Sequence, residues 1–149
     1  MERSEVEAAP AFIVREYRDD DLQAVTRLWR ESFPDDVERK EQHVTMIAKR
    51  AHSEGLLLVA DQGGAIIGSV IAGYDGHRGR LYAVAVDADH RRHAIGTALV
   101  RSVETRMAAL GCVRINLQIG VEKAAIARFY HQLGYEVEER INMAKSLNG

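Results

Sequence analysis

The sequence is poor in the residues that mark several classes of protein. It has one cysteine among 149 residues, so Cys112 allows neither an internal disulfide nor a cysteine-rich zinc site. Its 20 basic and 22 acidic residues give a net charge of −2, without the basic excess typical of nucleic-acid binding. No apolar run approaches the ~20 residues that span a bilayer, and the acidic N-terminus is unlike a signal peptide. These absences predict a soluble, cytoplasmic protein that binds neither nucleic acid nor membrane.

What is present is an ordinary globular composition, 46% hydrophobic and 28% charged, sufficient for one core at this length. Residues 1–11 show no periodicity and are predicted to be a flexible tail before a single domain of residues 12–149. Apolar alternation predicts strands at Phe12–Arg18 and Val113–Ile119. Two apolar runs, Leu56–Asp61 and Ala65–Asp75, are separated by Gln62-Gly63-Gly64, which predicts a hairpin. Further strands are predicted at Arg80–Asp87 and Tyr135–Leu147. Helical spacing predicts helices at Leu22–Trp29, Val37–Ala51, Ala94–Leu110 and Lys123–Leu133. The order predicts an α/β fold with a mixed central sheet of six to seven strands and about four helices.

The segment around residue 90 has the composition of an anion site. A strand, Tyr82–Val86, leads through a polar loop with Arg91, Arg92 and His93 into a helix whose first turn is built from small residues. A helix N-terminus has free amides and the positive end of its dipole, and small side chains let phosphate oxygens approach them. The pattern therefore predicts a pyrophosphate cradle. A plain strand–loop–helix with a solvated basic loop is the alternative, and the spacing alone does not decide between them.

Two motifs carry a resemblance to a known family. The segment Arg91–Gly96 resembles the acetyl-CoA pyrophosphate loop of the GNAT family of N-acetyltransferases, whose pattern is Gln/Arg-x-x-Gly-x-Gly/Ala. The segment Phe129–Tyr135 resembles the second hallmark of that family, a helix carrying a tyrosine followed by a Leu-Gly-aromatic turn. The turn Gly73–Gly79 is similar to the YpeA-type branch of these enzymes. The two hallmarks are separated by a helix and a strand, as they are in that family.

The resemblance implies a single-domain acyl-CoA N-acyltransferase fold, acetyl-CoA as co-substrate, no metal and an amine acceptor that attacks the thioester directly. The strand Val84–Val86 is expected to splay from Val113–Ile119, with a backbone amide near Val86 stabilising the oxyanion. Tyr130 is expected to protonate the departing thiolate. The implied cofactor-binding residues are Val84, Ala85, Val86, Arg91, Arg92, His93, Ala94, Ile95, Gly96, Thr97 and Lys123.

The sequence departs from the family pattern at three points. Ala94 replaces the usual glycine, which is acceptable if that residue is already helical. Lys123 stands where asparagine is frequent, and either contacts the cofactor or only begins a helix. The strand Arg80–Val86 has no glutamate base, and Asp75, His77 and Tyr82 are substitutes by residue type only, with structural roles favoured. A non-catalytic acyl-CoA-binding or regulatory module is therefore the alternative to an enzyme.

Three further expectations concern a metal, the acceptor and assembly. His90 and His93 are three residues apart, but no carboxylate or cysteine joins them in the pattern of a metal site, so no metal is predicted. Asp35 and Asp36, between the first two helices, either attract a cationic acceptor or cap the second helix. The last strand and the exposed edge of the sheet are compatible with a homodimer.

Overall fold

A computed structural model describes residues 11–34, 41–91, 94–120 and 123–147. These residues form five strands, β1 (Ile13–Glu16), β2 (Leu57–Gln62), β3 (Ala65–Tyr74), β4 (Gly79–Val86) and β5 (Ile115–Asn116). They also form four α-helices, α1 (Leu22–Ser32), α2 (Glu41–Ser53), α3 (Ile95–Ala109) and α4 (Ala124–Gln132). The chain divides into two compact units, residues 1–118 and residues 119–149.

The first unit is organised around one mixed sheet with the strand order β1-β2-β3-β4-β5. Three successive antiparallel pairings join β1 to β4, and β4 pairs with β5 in parallel. The tight Gln62-Gly63-Gly64 turn joins β2 to β3, as the two adjacent glycines predicted, and both glycines have a positive φ. Parallel pairing of β4 with β5 requires a crossover, which α3 supplies.

Helices cover both faces of this sheet. Leu58 on β2 and Val70 on β3 are paired, fully buried and on the face that α3 covers. The other face carries Val59, Ile71 and Ala85, which form a core cluster with α1 and α2 side chains, Trp29 among them. Burial on both faces explains why β2 and β3 read as continuous apolar runs rather than as alternating ones.

A buried ion cluster fixes the segment that leads into α1. The guanidinium of Arg15 donates from Nη1 to Asp21 Oδ2 at 2.9 Å and from Nη2 to Asp21 Oδ1 at 3.1 Å. Its Nε donates to Asp61 Oδ2 at 2.9 Å. Burial alone would raise the pKa of Asp21, but hydrogen bonds from Arg15 and the Arg18 amide lower it below its usual value. One arginine therefore ties β1 to β2 and to the start of α1.

The predicted fold class is confirmed, but the predictions for two strands are wrong. One strand is shorter than predicted, and the other is not formed. The strand expected at Val113–Ile119 is limited to Ile115–Asn116. The strand expected at Tyr135–Leu147 is not formed, and Val137 and Ile141 in that segment are 93% and 90% exposed. Alternation assigns side chains to faces, but a strand also needs a hydrogen-bonded neighbour, which the pattern does not supply.

Candidate active site

The predicted cradle lies where α3 begins, close against the sheet. Ile95 is the first residue of α3 and is 1% exposed. A Cβ on Gly68 of β3 would stand 3.0 Å from Ile95 Cγ2 and 3.1 Å from Leu99 Cδ1. The missing side chain of Gly68 therefore lets the first turns of α3 pack directly onto β3. This contact fixes the direction in which the helix N-terminus points.

Ala94 differs from the prediction in a way that matters for the cradle. The helix was expected to begin at this residue, but Ala94 is the N-cap of α3 with φ 60° and ψ 21°, the left-handed conformation. Among the residues that the structure describes, no other non-glycine residue has a positive φ. An L-residue with a Cβ adopts this conformation at a cost of about 1–2 kcal/mol. The expectation that alanine is acceptable because it is helical is therefore wrong, and the strain explains why the family pattern has glycine here.

The first turn of α3 has backbone donors without an acceptor among the described residues. The helical hydrogen bonds begin with the Ala98 amide, which donates to the Ala94 carbonyl at 3.1 Å. The amides of Ile95, Gly96 and Thr97 precede that bond and have no intrahelical acceptor. The first turn carries no acidic side chain, so nothing there competes for an anion. Free amides and the dipole together make this end of α3 suitable for a phosphate group.

Arg91 joins the cradle to the end of β4. Its Nε donates to the Val86 carbonyl at 3.2 Å, and the side chain is otherwise exposed. The sequence predicted both residues as cofactor ligands but did not predict this contact between them. It holds the guanidinium at the end of β4, where its remaining donors are available to a ligand. The predicted ligands Arg92 and His93 lie outside the described residues.

The far edge of β4 is open next to the cradle. Only Gly79 and Arg80 of β4 pair with β5, opposite Ile115 and Asn116. From Leu81 to Val86 no described strand borders that side, so backbone groups of this segment face away from the sheet without a ladder partner. This separation of β4 from β5 agrees with the splay that the resemblance implies. The predicted ligands Val84 and Val86 are half-buried, and Ala85 is buried on the opposite face.

The second unit contains the other two predicted site residues. Tyr130 on α4 makes edge-to-face contacts with Phe129 and Tyr135, with ring centroids 4.9 Å and 5.7 Å away. Burial raises the pKa of Tyr130 to about 12, so its hydroxyl stays protonated at neutral pH. Lys123 is the N-cap of α4, and its carbonyl accepts from the Ile126 amide at 3.0 Å. The helix-start role of Lys123 is therefore present, and contact with a cofactor remains a prediction.

Asp75, one of the substitutes for the missing glutamate base, is held in a turn. Asp75 Oδ1 accepts from the amides of His77 and Arg78, each at 2.7 Å. The Arg78 amide, followed by that of His77, lowers the pKa of this carboxyl, so Asp75 is a turn residue, as expected.

Within the described ranges, no three His, Cys, Asp or Glu side chains are grouped to hold a metal ion. Asp35 and Asp36, predicted either to attract a cationic acceptor or to cap the second helix, fall outside those ranges.

Comparison with known proteins agrees with these features. The sequence profile of the Acetyltransferase (GNAT) family matches residues 22–135. An acetyltransferase of Pectobacterium atrosepticum is 36% identical over 136 residues, which are 90% of this chain and 94% of the relative. An acetyltransferase of Sodalis glossinidius is 34% identical over 130 residues, which are 86% of this chain and 89% of the relative.

Solved structures show the same fold at low sequence identity. Ard1 from Thermoplasma volcanium has a TM-score of 0.77 at 19% identity, covering 86% of this chain and 84% of that one. The aminoglycoside acetyltransferase AAC(6′)-Iy, in complex with CoA, has a TM-score of 0.75 at 16% identity, covering 92% of this chain and 95% of that one. In the described part of this chain, no helix is long and apolar enough to cross a membrane. With the profile match over most of its length, the chain belongs to the GNAT family and is an acetyl-CoA-dependent acetyltransferase.

Proposed function

We propose that this acetyltransferase transfers the acetyl group to a primary amine, on a small molecule or on a protein N-terminus or lysine, by direct attack. One observation carries the proposal. The unsatisfied amides of Ile95, Gly96 and Thr97 open at the same end of β4 where its edge has no described neighbour. A ligand with an anionic group and an extended, hydrogen-bonding arm fits this combination, and acetyl-CoA has both parts.

The roles of the cradle residues follow from their positions. The amides of residues 95–97 and the Arg91 guanidinium bind the pyrophosphate, since charge-assisted bonds at a helix N-terminus favour anions. We also assign pyrophosphate or cofactor contacts to Arg92, His93 and Lys123, on the resemblance alone. The open edge at Val84–Val86 binds the pantetheine arm through its backbone, and an amide near Val86 stabilises the oxyanion.

The chemistry needs an acid and a base. The amine nitrogen forms a bond to the thioester carbonyl carbon, the carbon–sulfur bond breaks, and the thiolate receives a proton from the Tyr130 hydroxyl. A phenol with a pKa of about 12 is a weaker acid than an ordinary thiol at about 8.5, so its contribution is at the low end for general acids. The proton lost by the amine passes to water, because β4 carries no carboxylate.

Three finer assignments accompany this function. We propose that residues 12–149 form one catalytic domain, which is supported by a profile match that spans residues 22–135. Membership of the YpeA-type branch rests on the segment Gly73–Gly79 and stays a prediction. Homodimer formation also stays a prediction.

The cradle is tested by thermal unfolding with free CoA. CoA is expected to raise the melting temperature, because a ligand that binds the folded state alone stabilises it by mass action. Arg91→Glu places a negative charge beside the phosphates and is expected to abolish the shift. Arg78→Glu, the same charge change on the turn at the other end of β4, is the control and retains it. A wild-type protein without a shift, or an Arg91→Glu protein with an unchanged shift, contradicts the cradle.

Turnover separates the enzyme from a binding module. Release of free CoA thiol from acetyl-CoA is measured with a panel of primary amines, which includes an aminoglycoside because one structural relative is an aminoglycoside acetyltransferase. Amine-dependent thiol release and an acetylated product are expected. CoA binding without release for any amine contradicts acetyl transfer to small amines.

A further inference from the structure

A row of three paired residues crosses the sheet at the point where β4 and β5 separate. Gly73 on β3 is opposite Arg80 on β4, and Arg80 is opposite Asn116 on β5. The neighbouring residue Gly79 faces α3, since a Cβ there would stand 2.7 Å from Met107 Sδ. Successive residues of a strand point to opposite faces. Gly73, Arg80 and Asn116 therefore share the face of the sheet that is opposite to α3.

A bulge in β4 brings an aromatic ring to the same place. Ile71 pairs with Ala83 and Ala72 pairs with Leu81, so Tyr82 is an extra residue in β4. Its ring lies over Gly73, where a Cβ would be 2.9 Å from Tyr82 Cε2 and 3.3 Å from its hydroxyl oxygen. The side chain is 41% exposed. Gly73 thus leaves room for a ring that borders the row without covering it.

Arg80 provides an available positive charge in this row. It is exposed, and no ion pair or hydrogen bond joins its guanidinium to a residue in the described ranges. In the preceding turn, the carboxylate of Asp75 is occupied by the amides of His77 and Arg78, so it does not neutralise Arg80. The Leu81–Val86 segment spans about 17 Å at ~3.3 Å per residue, so this row lies at the end of the open edge away from the cradle.

We propose that Arg80 binds an anionic group of the acceptor, and that the ring of Tyr82 packs against the body of the same molecule. The acceptor class is then a primary amine that also carries a carboxylate or a phosphate. This inference rests on the proposed function, because the amine must approach a thioester held along the open edge of β4. Arginine suits the role because its guanidinium binds carboxylate and phosphate oxygens in a bidentate manner. Arg80 and Tyr82 are specificity-determining residues in this proposal.

The test compares matched amines that differ only in the anion. Initial rates of CoA thiol release are measured with an amino acid and its carboxamide, and with phosphoethanolamine and ethanolamine. In one of the two pairs, the wild-type kcat/KM is expected to be at least tenfold higher for the anionic amine than for its neutral partner. The pair that shows this preference tells whether the site binds a carboxylate or a phosphate. Arg80→Gln is expected to lower kcat/KM for that anionic amine on the order of tenfold to a hundredfold, mainly through KM, because a hydrogen bond to a charged group is lost. The same variant is expected to leave kcat/KM for the neutral amine unchanged.

Two further variants make the result specific. Arg80→Lys keeps the charge and is expected to restore part of the loss, and Arg78→Gln on the adjacent turn is the matched control without effect. Equal loss for both members of a pair, an equal loss in Arg78→Gln, or wild-type preference for the neutral amines overturns the inference while leaving acetyl transfer intact. Turnover of no small amine by a protein that still binds CoA overturns acetyl transfer to small amines and this inference together.

Discussion

The conformation of Ala94 gives the sharpest prediction, since it links the stability of the chain to the geometry of the cradle. The residue is exposed and caps α3 in the left-handed conformation, with φ 60° and ψ 21°. Its carbonyl accepts the first helical hydrogen bond, from the Ala98 amide. Ala94→Gly removes one methyl group and leaves every described hydrogen bond of this turn in place.

The magnitude follows from two opposing effects. Relief of the left-handed strain is worth about 1–2 kcal/mol, and the greater freedom of glycine in the unfolded chain offsets roughly 0.5–1 kcal/mol of it. The variant is therefore expected to gain on the order of 0.5–1 kcal/mol in the free energy of unfolding. For a chain of this size that gain raises the melting temperature by about 2–3 °C. CoA binding is expected to tighten modestly or to stay unchanged.

Chemical and thermal unfolding of Ala94→Gly and a matched control measure this effect. Ala108→Gly makes the same chemical change at an exposed residue in the last turn of α3, where a right-handed helical conformation makes glycine destabilising by up to ~1 kcal/mol. The two variants should therefore differ in sign. A loss of stability in Ala94→Gly similar to that in Ala108→Gly would refute the left-handed assignment, and a clear loss of CoA affinity would show that the methyl group of Ala94 supports the cradle.

Two other predictions concern the acid and the ion cluster. Tyr130→Phe keeps the ring contacts and removes the hydroxyl, so kcat is expected to fall about a hundredfold with unchanged CoA affinity; a retained rate would make Tyr130 a packing residue. Arg15→Met leaves the carboxylate of Asp21 buried without its partner and is expected to cost about 3 kcal/mol in urea unfolding at pH 7. The pKa values of Asp21 and Asp61 lie below their ordinary 3.8 in the folded protein. Their stabilisation is present above pH 3.8 and is lost as the pH falls through the folded values. Arg15→Met should show a smaller loss in acid, and an equal loss contradicts the assignment.

Much of the fold was predictable because apolar burial follows local periodicity. In α3, the helical spacing of Leu99, Val103 and Met107 predicted one buried face, and all three side chains are fully buried. Strand β3 was predicted to within one residue, since its long apolar run is covered by helices on both faces. The Tyr135–Leu147 segment also carries spaced apolar residues, but its strand is not formed. Strand pairing depends on a partner distant in sequence, and periodicity contains no information about that partner.

The start of α3 was predicted to within one residue and was missed in one dihedral angle. Small residues such as Ala94 and Gly96 fit a helix start, and their pattern does not tell the N-cap from the first helical residue. The helix begins one residue later than predicted, so Ala94, which was expected to be helical, is an N-cap in the left-handed conformation. The glycine in the family pattern was the available signal, since glycine is favoured where φ must be positive. The physical reason for that glycine, a positive φ at this position, became visible only in the backbone of the structure.

The bulge in β4 shows why the face on which Arg80 lies was beyond sequence reasoning. Strict alternation places Arg80, Tyr82 and Val84 on one face. Val84 is opposite Val70, which is fully buried on the α3 face, so alternation alone would direct the cation of Arg80 towards the buried thioether of Met107. A bulge inserts one residue and reverses the faces beyond it. It keeps Arg80 away from the core and places it on the face opposite α3. The same insertion that protects the packing of α3 thereby sets a positive charge at the point where β4 and β5 separate.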